Sequence, residues 1–254
     1  MILVIVQARM GSTRLPGKVM KNLLGKPMLW HLVQRLSGLK FIDRIVIAVP
    51  DKESDKVLLK LADEMGVDSF AGDEEDVLDR YYRAAKKYDA ETIVRITSDC
   101  PLVDPEIIDK VIQYYIDNRG KFDIVSTGFT FPGGFDTEVF SFDALETSWK
   151  ETNKPQEREH VTAYIWNNPS KFNFSRYQYF EDLSHIRLVV DYEEDFKLII
   201  EIFENLYKSD KVFHIEEIIH FLSKNPHLFQ LNERYAAIDK VIKDKIIEKE
   251  RTKV

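Results

Sequence analysis

Residues 7–20 read QARMGSTRLPGKVM, and they hold the first side chains whose types and spacing suit chemistry. Gly11 and Ser12 let the backbone turn tightly, so that N–H groups can converge on a phosphate. Arg9, Arg14 and Lys18 bring up to three positive charges into the same stretch. The Gly-x-x-x-x-Gly-Lys-Ser/Thr spacing of a P-loop is absent. A basic surface loop with chance glycines is the plain alternative. Against it, residues 1–42 hold seven basic side chains and no acid, although the whole chain has a net charge of −7.

Two aspartates complete the set. Asp99 lies in SDCPL, directly after the apolar run TIVRIT, and Asp191 closes the apolar run of IRLVVDYEEDFKLI. In open α/β sheets ligands sit outside the carboxyl ends of the strands. An aspartate there, next to a cationic phosphate loop, is where Mg²⁺ is held by one carboxylate plus substrate phosphates. Asp99 could equally make an Asx turn before Pro101. Asp191 could cap the helix that follows it, serve as a second metal carboxylate opposite Asp99, or do both. Cys100 has no base assignable to it and reads as a small packing residue.

These positions need a scaffold. Residues 2–6 are a short apolar run of β-forming residues bounded by a Gly/Ser/Pro-containing segment, as in a buried strand. Leu29, Leu32, Val33 and Leu36 recur at helical spacing after Pro27. Residues 44–49 are the next strand. Val57, Leu58, Leu61, Ala62 and Met65 share a helix face that stops at Gly66. Strands over 67–70 and 92–97 alternate with helices over 76–88 and after Pro105. This rhythm implies βαβ units, a mainly parallel sheet and right-handed crossovers. Further on the pattern loosens. Strands are expected over 123–127, 137–142, 171–179 and 186–190, and helices near 144–152, 157–167, 193–207 and 215–222. No repeat, linker or composition break marks a second domain, so residues 1–238 read as one domain. The charged run from Asp239 reads as a tail, a frayed surface helix over 239–254.

Composition narrows the function classes. Basic side chains number 36 against 43 acidic ones, which argues against broad electrostatic binding to nucleic acid or an anionic membrane. No stretch approaches the ~20 apolar residues of a membrane span. The opening MILVIV lacks a basic leader and runs into polar QARMGSTR, unlike a signal peptide. A single cysteine excludes an internal disulfide and any Cys-based zinc cluster. The expectation is a soluble, cytoplasmic, single-core protein.

Taken together, the loops resemble a known family. QARMGSTRLPGK is very similar to the N-terminal signature of the CMP-sugar synthetases, especially the 3-deoxy-manno-octulosonate cytidylyltransferases and the SpsF-like spore coat polysaccharide proteins, and it is related to the acylneuraminate cytidylyltransferases. The SpsF-like group also shows GDEEDVLDRYYRAA, TSDCPLVDP, GFDTEVFSFDALE, REHVTAYIWNNP and IRLVVDYEEDFKLI in this order. The likeness extends to about Asn232. One departure is that the group often has Arg-Gly where this chain has Ala71-Gly72.

The resemblance implies a single-domain α/β fold of the nucleotide-diphospho-sugar transferase type, Rossmann-like, with a mixed, mainly parallel sheet flanked by helices. It implies that Arg9, Gly11, Ser12, Arg14 and Lys18 grip the CTP triphosphate, with Ala8 and Ser98 also binding the nucleotide and Arg14 and Lys18 stabilising charge in the reaction. Asp99 and Asp191 would hold Mg²⁺. Gly72, Asp73 and Arg80 would flank the base and ribose. For the sugar, Asp136 and Glu138 lie two apart, so in an extended segment both face one way, toward the cleft or toward solvent. Arg158 could hold a sugar carboxylate as a bidentate pair, with Glu159 and His160 on hydroxyls. The implied activity joins CTP and a sugar acid into a CMP-sugar and pyrophosphate, in a homodimer. The rivals are a glycosyltransferase of related fold that consumes a nucleotide-sugar, and a non-catalytic nucleotide-binding partner.

Overall fold

The computed structural model describes residues 1–251. β1 (Ile2–Gln7) runs into the phosphate-type loop, and a two-stranded ribbon of β2 (Asn22–Leu23) and β3 (Lys26–Pro27) leads to α1 (Met28–Leu36). β4 (Arg44–Pro50), α2 (Lys56–Glu64), β5 (Asp68–Gly72), α3 (Val77–Lys87), β6 (Thr92–Thr97) and α4 (Pro105–Asp117) complete the alternating half. Then come β7 (Ile124–Thr127), β8 (Glu138–Ser141), α5 (Phe142–Glu151), α6 (Pro155–Glu159), α7 (Ala163–Asn167) and β9 (Phe174–Tyr177). α8 (Glu193–Leu206), α9 (Ile215–Lys224) and α10 (Glu233–Arg251) close the described chain.

The main sheet runs β5-β4-β1-β6-β8-β7-β9. β8 is antiparallel to both neighbours, and every other pairing is parallel. β1 is central because its side chains are apolar on both faces. Val4 and Val6 enter the core shared with α1, α4 and α8, whereas Leu3 and Ile5 enter the one shared with α3 and α5. A strand buried on both sides reads as a continuous apolar run rather than an alternation. Parallel pairing of β1 with β6 brings their carboxyl ends side by side, Gln7 against Thr97. Among the described residues no helix is long and apolar enough to cross a membrane.

Three expectations change. Residues 186–190 are extended but join no strand; their partners are loop backbones, with the Leu188 N–H donating to the Gly133 carbonyl (2.7 Å) and the Val190 N–H to the Asp99 carbonyl (2.8 Å). The single helix expected over 157–167 is two, α6 and α7, broken where buried Val161 takes a left-handed conformation (φ 47°) that a β-branched residue rarely adopts. The charged tail is not separate: α10 begins at Glu233, so the boundary expected at residue 238 falls inside a continuous helix. Residues 252–254 of that tail lie outside the described residues.

Gly134 is the hinge of the first change. At φ +96° a Cβ there would sit 2.6 Å from the Leu188 carbonyl carbon and the Val189 nitrogen. Gly134→Ala should destabilise the fold by more than about 1 kcal/mol, because the backbone conformation and the close approach both exclude a side chain. A urea midpoint lower than wild type checks this.

Candidate active site

The loop after β1 is shaped by local bonds. The Gly17 N–H donates to the Met10 carbonyl (3.0 Å), and Ser12 Oγ accepts from the Leu15 N–H (3.2 Å). Asp55 anchors the loop from outside by accepting the Met10 N–H (2.7 Å). Lys18 follows in a short turn, and its chain is buried. The ammonium donates to Asp99 Oδ2 (3.1 Å), Asp191 Oδ1 (3.0 Å) and the Val190 carbonyl (2.7 Å). Arg14 pairs with the same Asp191 oxygen at 2.8 Å. Burial would raise the Asp191 carboxyl, but Lys18, Arg14 and Arg187 together hold it below the ordinary carboxylate range.

Asp191 does not spend its side chain on helix α8. Asp195 does that work: its Oδ2 accepts the N–H groups of Asp191 and Tyr192, both at 3.0 Å. Asp195 also takes Arg187 in a bidentate pair at 2.9 Å and the Asn232 amide at 2.9 Å. The Asp191 carboxylate is therefore left pointing at cations.

A cavity of about 270 Å³ opens over this cluster. Ala8, Arg9, Ser12, Arg14, Lys18, Arg80, Ser98, Asp99 and Asp191 all line it. Glu159 and His160 also line it, rather than a separate sugar pocket. Gly11 is absent from its wall, and Gly72 and Asp73 line a different depression with Asp51 and Lys52. Their link to the cavity runs through Arg80. A Cβ at Gly72 would meet Arg80 Cγ at 3.1 Å, and Arg80 donates to the Asp73 carbonyl at 2.7 Å. Buried Arg80 keeps an Nε without a partner among the described residues. Burial and neighbouring Arg9 both depress its pKa, so an arriving anion would relieve it.

A second cavity of about 320 Å³ shares Arg95, Thr97 and Asp99 with the first. Ser126, Thr127, Asp136, Thr137, Glu138 and Arg176 form the rest of its polar wall. Glu138 is fully engaged, by Arg95 (2.7 Å), Thr162 Oγ1 (2.9 Å) and the Trp166 indole (2.8 Å). Asp136 is open to the cavity but has protein around it, and that desolvation, with Glu138 and Asp99 nearby, pushes its carboxyl up. The buried Thr137 hydroxyl has no partner among the described residues. The Arg176 guanidinium carbon sits over two rings, 4.2 Å from the Phe129 centroid and 4.1 Å from that of Trp166.

Arg158 lines neither cavity. Its Nε donates to Asp76 (2.6 Å), and its Nη1 to the carbonyls of Trp149 (3.1 Å) and Thr152 (2.9 Å). That corrects its assignment to a sugar carboxylate: Asp76 caps α3, and Arg158 fastens α5 and α6 to that cap. Cys100 is buried and its thiol is pushed well above the usual range, as for a packing residue.

The donor set suits Mg²⁺. Asp99 and Asp191 are hard oxygen ligands already gathered on one cation, and Mg²⁺ is held by one or two carboxylates with phosphates completing its shell. Among the described residues no cluster of three or more His, Cys, Asp or Glu offers an all-protein metal cage.

Residues 3–235 match the profile of the family described as "Cytidylyltransferase". The chain belongs to the cytidylyltransferase family. It is 42% identical over 235 residues to an uncharacterized protein of Methanocaldococcus jannaschii, covering 91% of this chain and 94% of that protein. It is 35% identical over 235 residues to the spore coat polysaccharide biosynthesis protein SpsF of Bacillus subtilis, covering 89% and 95%. A solved cytidylyltransferase from Leptospira borgpetersenii superposes with a TM-score of 0.86 at 33% identity, over 90% of this chain and 96% of that one. The protein is accordingly a nucleotidyltransferase enzyme.

In this cytidylyltransferase the sequence missed Arg95, Thr97, Ser126, Thr127 and Arg176 as cavity residues. Arg95 did carry a signal, a cation inside the otherwise apolar TIVRIT strand. Thr97 ends that same strand; Ser126, Thr127 and Arg176 carry none, because their side chains become neighbours only once β7 and β9 pair. Arg158→Ala should lower stability by about 2–3 kcal/mol by unpairing Asp76 and two carbonyls. It should leave the apparent KM of any acceptor unchanged; thermal unfolding and steady-state kinetics check both halves.

Proposed function

We propose that the enzyme transfers CMP from CTP to a sugar acid with release of pyrophosphate, for the synthesis of a surface polysaccharide. The observation that carries this reading is the pair of cavities meeting at Asp99. One is rich in arginine and lysine, as a triphosphate requires; the other combines hydroxyls and carboxylates with Arg95 and Arg176, as a sugar acid requires. SpsF's description as a spore coat polysaccharide protein supports the pathway class. The loop's similarity to 3-deoxy-manno-octulosonate cytidylyltransferases supports a sugar acid.

In this reading Arg9, Arg14, Lys18 and Arg80 hold the phosphates and offset their charge. The acceptor hydroxyl, seated in the second cavity, attacks the α-phosphorus; the new O–P bond forms as the bond to pyrophosphate breaks, and the hydroxyl proton passes to solvent. Holding both substrates in line across Asp99 contributes much of the acceleration. Asp99 and Asp191 would hold Mg²⁺, which when bound neutralises charge on the triphosphate. Lys18 stands where that charge balance is set, and it keeps the two carboxylates together beforehand. We place the enzyme in the cytoplasm as a homodimer. The exposed apolar residues Ile238, Val241, Ile242 and Ile246 on α10 support a self-contact. Sedimentation should give twice the chain mass at micromolar concentration; a monomer would remove that part.

Incubation with Mg²⁺, a nucleotide panel and sugar acids should release pyrophosphate with CTP preferred. No release with any acid, despite tight CTP binding, counts against the reading. Asp99→Asn and Asp191→Asn should each cut turnover by several orders of magnitude in a folded protein, at about 1.4 kcal/mol per tenfold. The double variant should be little worse than either single one, because groups that act as a unit fail together.

A further inference from the structure

With Arg158 committed to α3, the second cavity needs another partner for an acid's carboxylate. Arg95 on its wall is already paired with Glu138, and two further cations lie near it, Lys243 close enough to act on Asp136. Arg176 is on its wall. Lys243 comes from α10, with Nζ donating to the Phe131 carbonyl at 3.2 Å and lying 5.9 Å from the Phe129 ring centroid. The same Phe129 ring supports the Arg176 guanidinium at 4.2 Å, so one ring touches both cations.

Lys243 is half-buried, and the hydrogen bond its ammonium makes goes to a neutral carbonyl. Desolvation lowers its pKa, against the opposing pull of Asp136, Asp182 and Asp239. A cation held like this gains when an anion arrives. α10 is held over the site by more than Lys243. Asp239 pairs with Arg187, the arginine that also reaches Asp191, and Tyr235 stacks on Tyr192 with centroids 3.7 Å apart. The match to the family profile ends at residue 235, eight residues before Lys243.

We propose that Lys243 is a specificity residue of the acceptor site, its ammonium beside Arg176 taking the carboxylate of the incoming sugar acid. The sugar's hydroxyls then face the Asp136 and Thr137 side, where a second carboxylate would be repelled. The proposal rests on the sugar-acid reading above and adds where the acid group is recognised.

The test uses the full chain with CTP, Mg²⁺ and a panel of 2-keto-3-deoxy sugar acids that includes 3-deoxy-manno-octulosonate, each also as its carboxamide. Lys243→Gln should raise the KM of the active acid about tenfold, the worth of one charge-assisted hydrogen bond. Turnover and the KM of CTP should stay within about twofold. Lys243→Arg should recover most of the loss, and the wild type's preference for acid over carboxamide should collapse in Lys243→Gln. An unchanged acid KM, an equal penalty with acid and carboxamide, or no recovery by Lys243→Arg overturns the proposal while the sugar-acid reading stands. A wild-type enzyme silent with every acid overturns that reading and the proposal with it.

Discussion

The site depends on one buried ammonium. Asp99 follows β6 and Asp191 follows an extended segment that belongs to no strand, and Lys18 Nζ is the group on which both converge. Two carboxylates this close repel each other, which would raise one of their pKa values without a cation between them. With Lys18, Arg14 and Arg187 around it, Asp191 stays ionised below the ordinary range. The geometry of loop, sheet end and extended segment follows from keeping that charge cluster neutralised in a partly buried place. Asp195 supplies the rigidity, since it ties the backbone of Asp191 and Tyr192 to Arg187 and Asn232.

Around that centre the fold sorts its polar groups. Cations gather on the β1 side, where the loop turns and α3 contributes Arg80. Hydroxyls and carboxylates gather on the side built by β7, β8 and the loop before β8. The antiparallel β8 makes the second side: inserted between β6 and β7, it sets Glu138 opposite Arg95 and closes that ion pair at the border of the two cavities. A bound Arg95 then presents fixed rather than mobile charge, which costs no reorganisation during a reaction.

The C-terminal helix joins the two sides. Asp239 meets Arg187 behind the metal-type carboxylate, and Lys243 meets the Phe131 carbonyl beside the other cavity. A helix with so few buried apolar residues would be marginal alone in water, and these contacts to the body are what hold it. Its placement links the surroundings of both cavities through a single element.

The sequence by itself determined the alternating half of the fold, because each strand and helix there carries its own period. The apolar run at 2–6 and the helical spacing of Leu29, Leu32, Val33 and Leu36 need no distant partner to be read. It also brought together charged residues of the first cavity, since Arg9, Arg14 and Lys18 lie within one short loop and Asp99 follows a recognisable strand. Only the tertiary structure decided the rest. Residues 186–190 have strand composition, but their neighbours are loop backbones that composition does not announce. Arg158 has the right type for a sugar carboxylate, yet Asp76, far away in the chain, claims it. Arg176 and Lys243 look like ordinary surface cations until β9 and α10 fold back against Phe129. A residue whose environment comes from its own neighbours in the chain is legible there; one whose partners arrive across the fold is not.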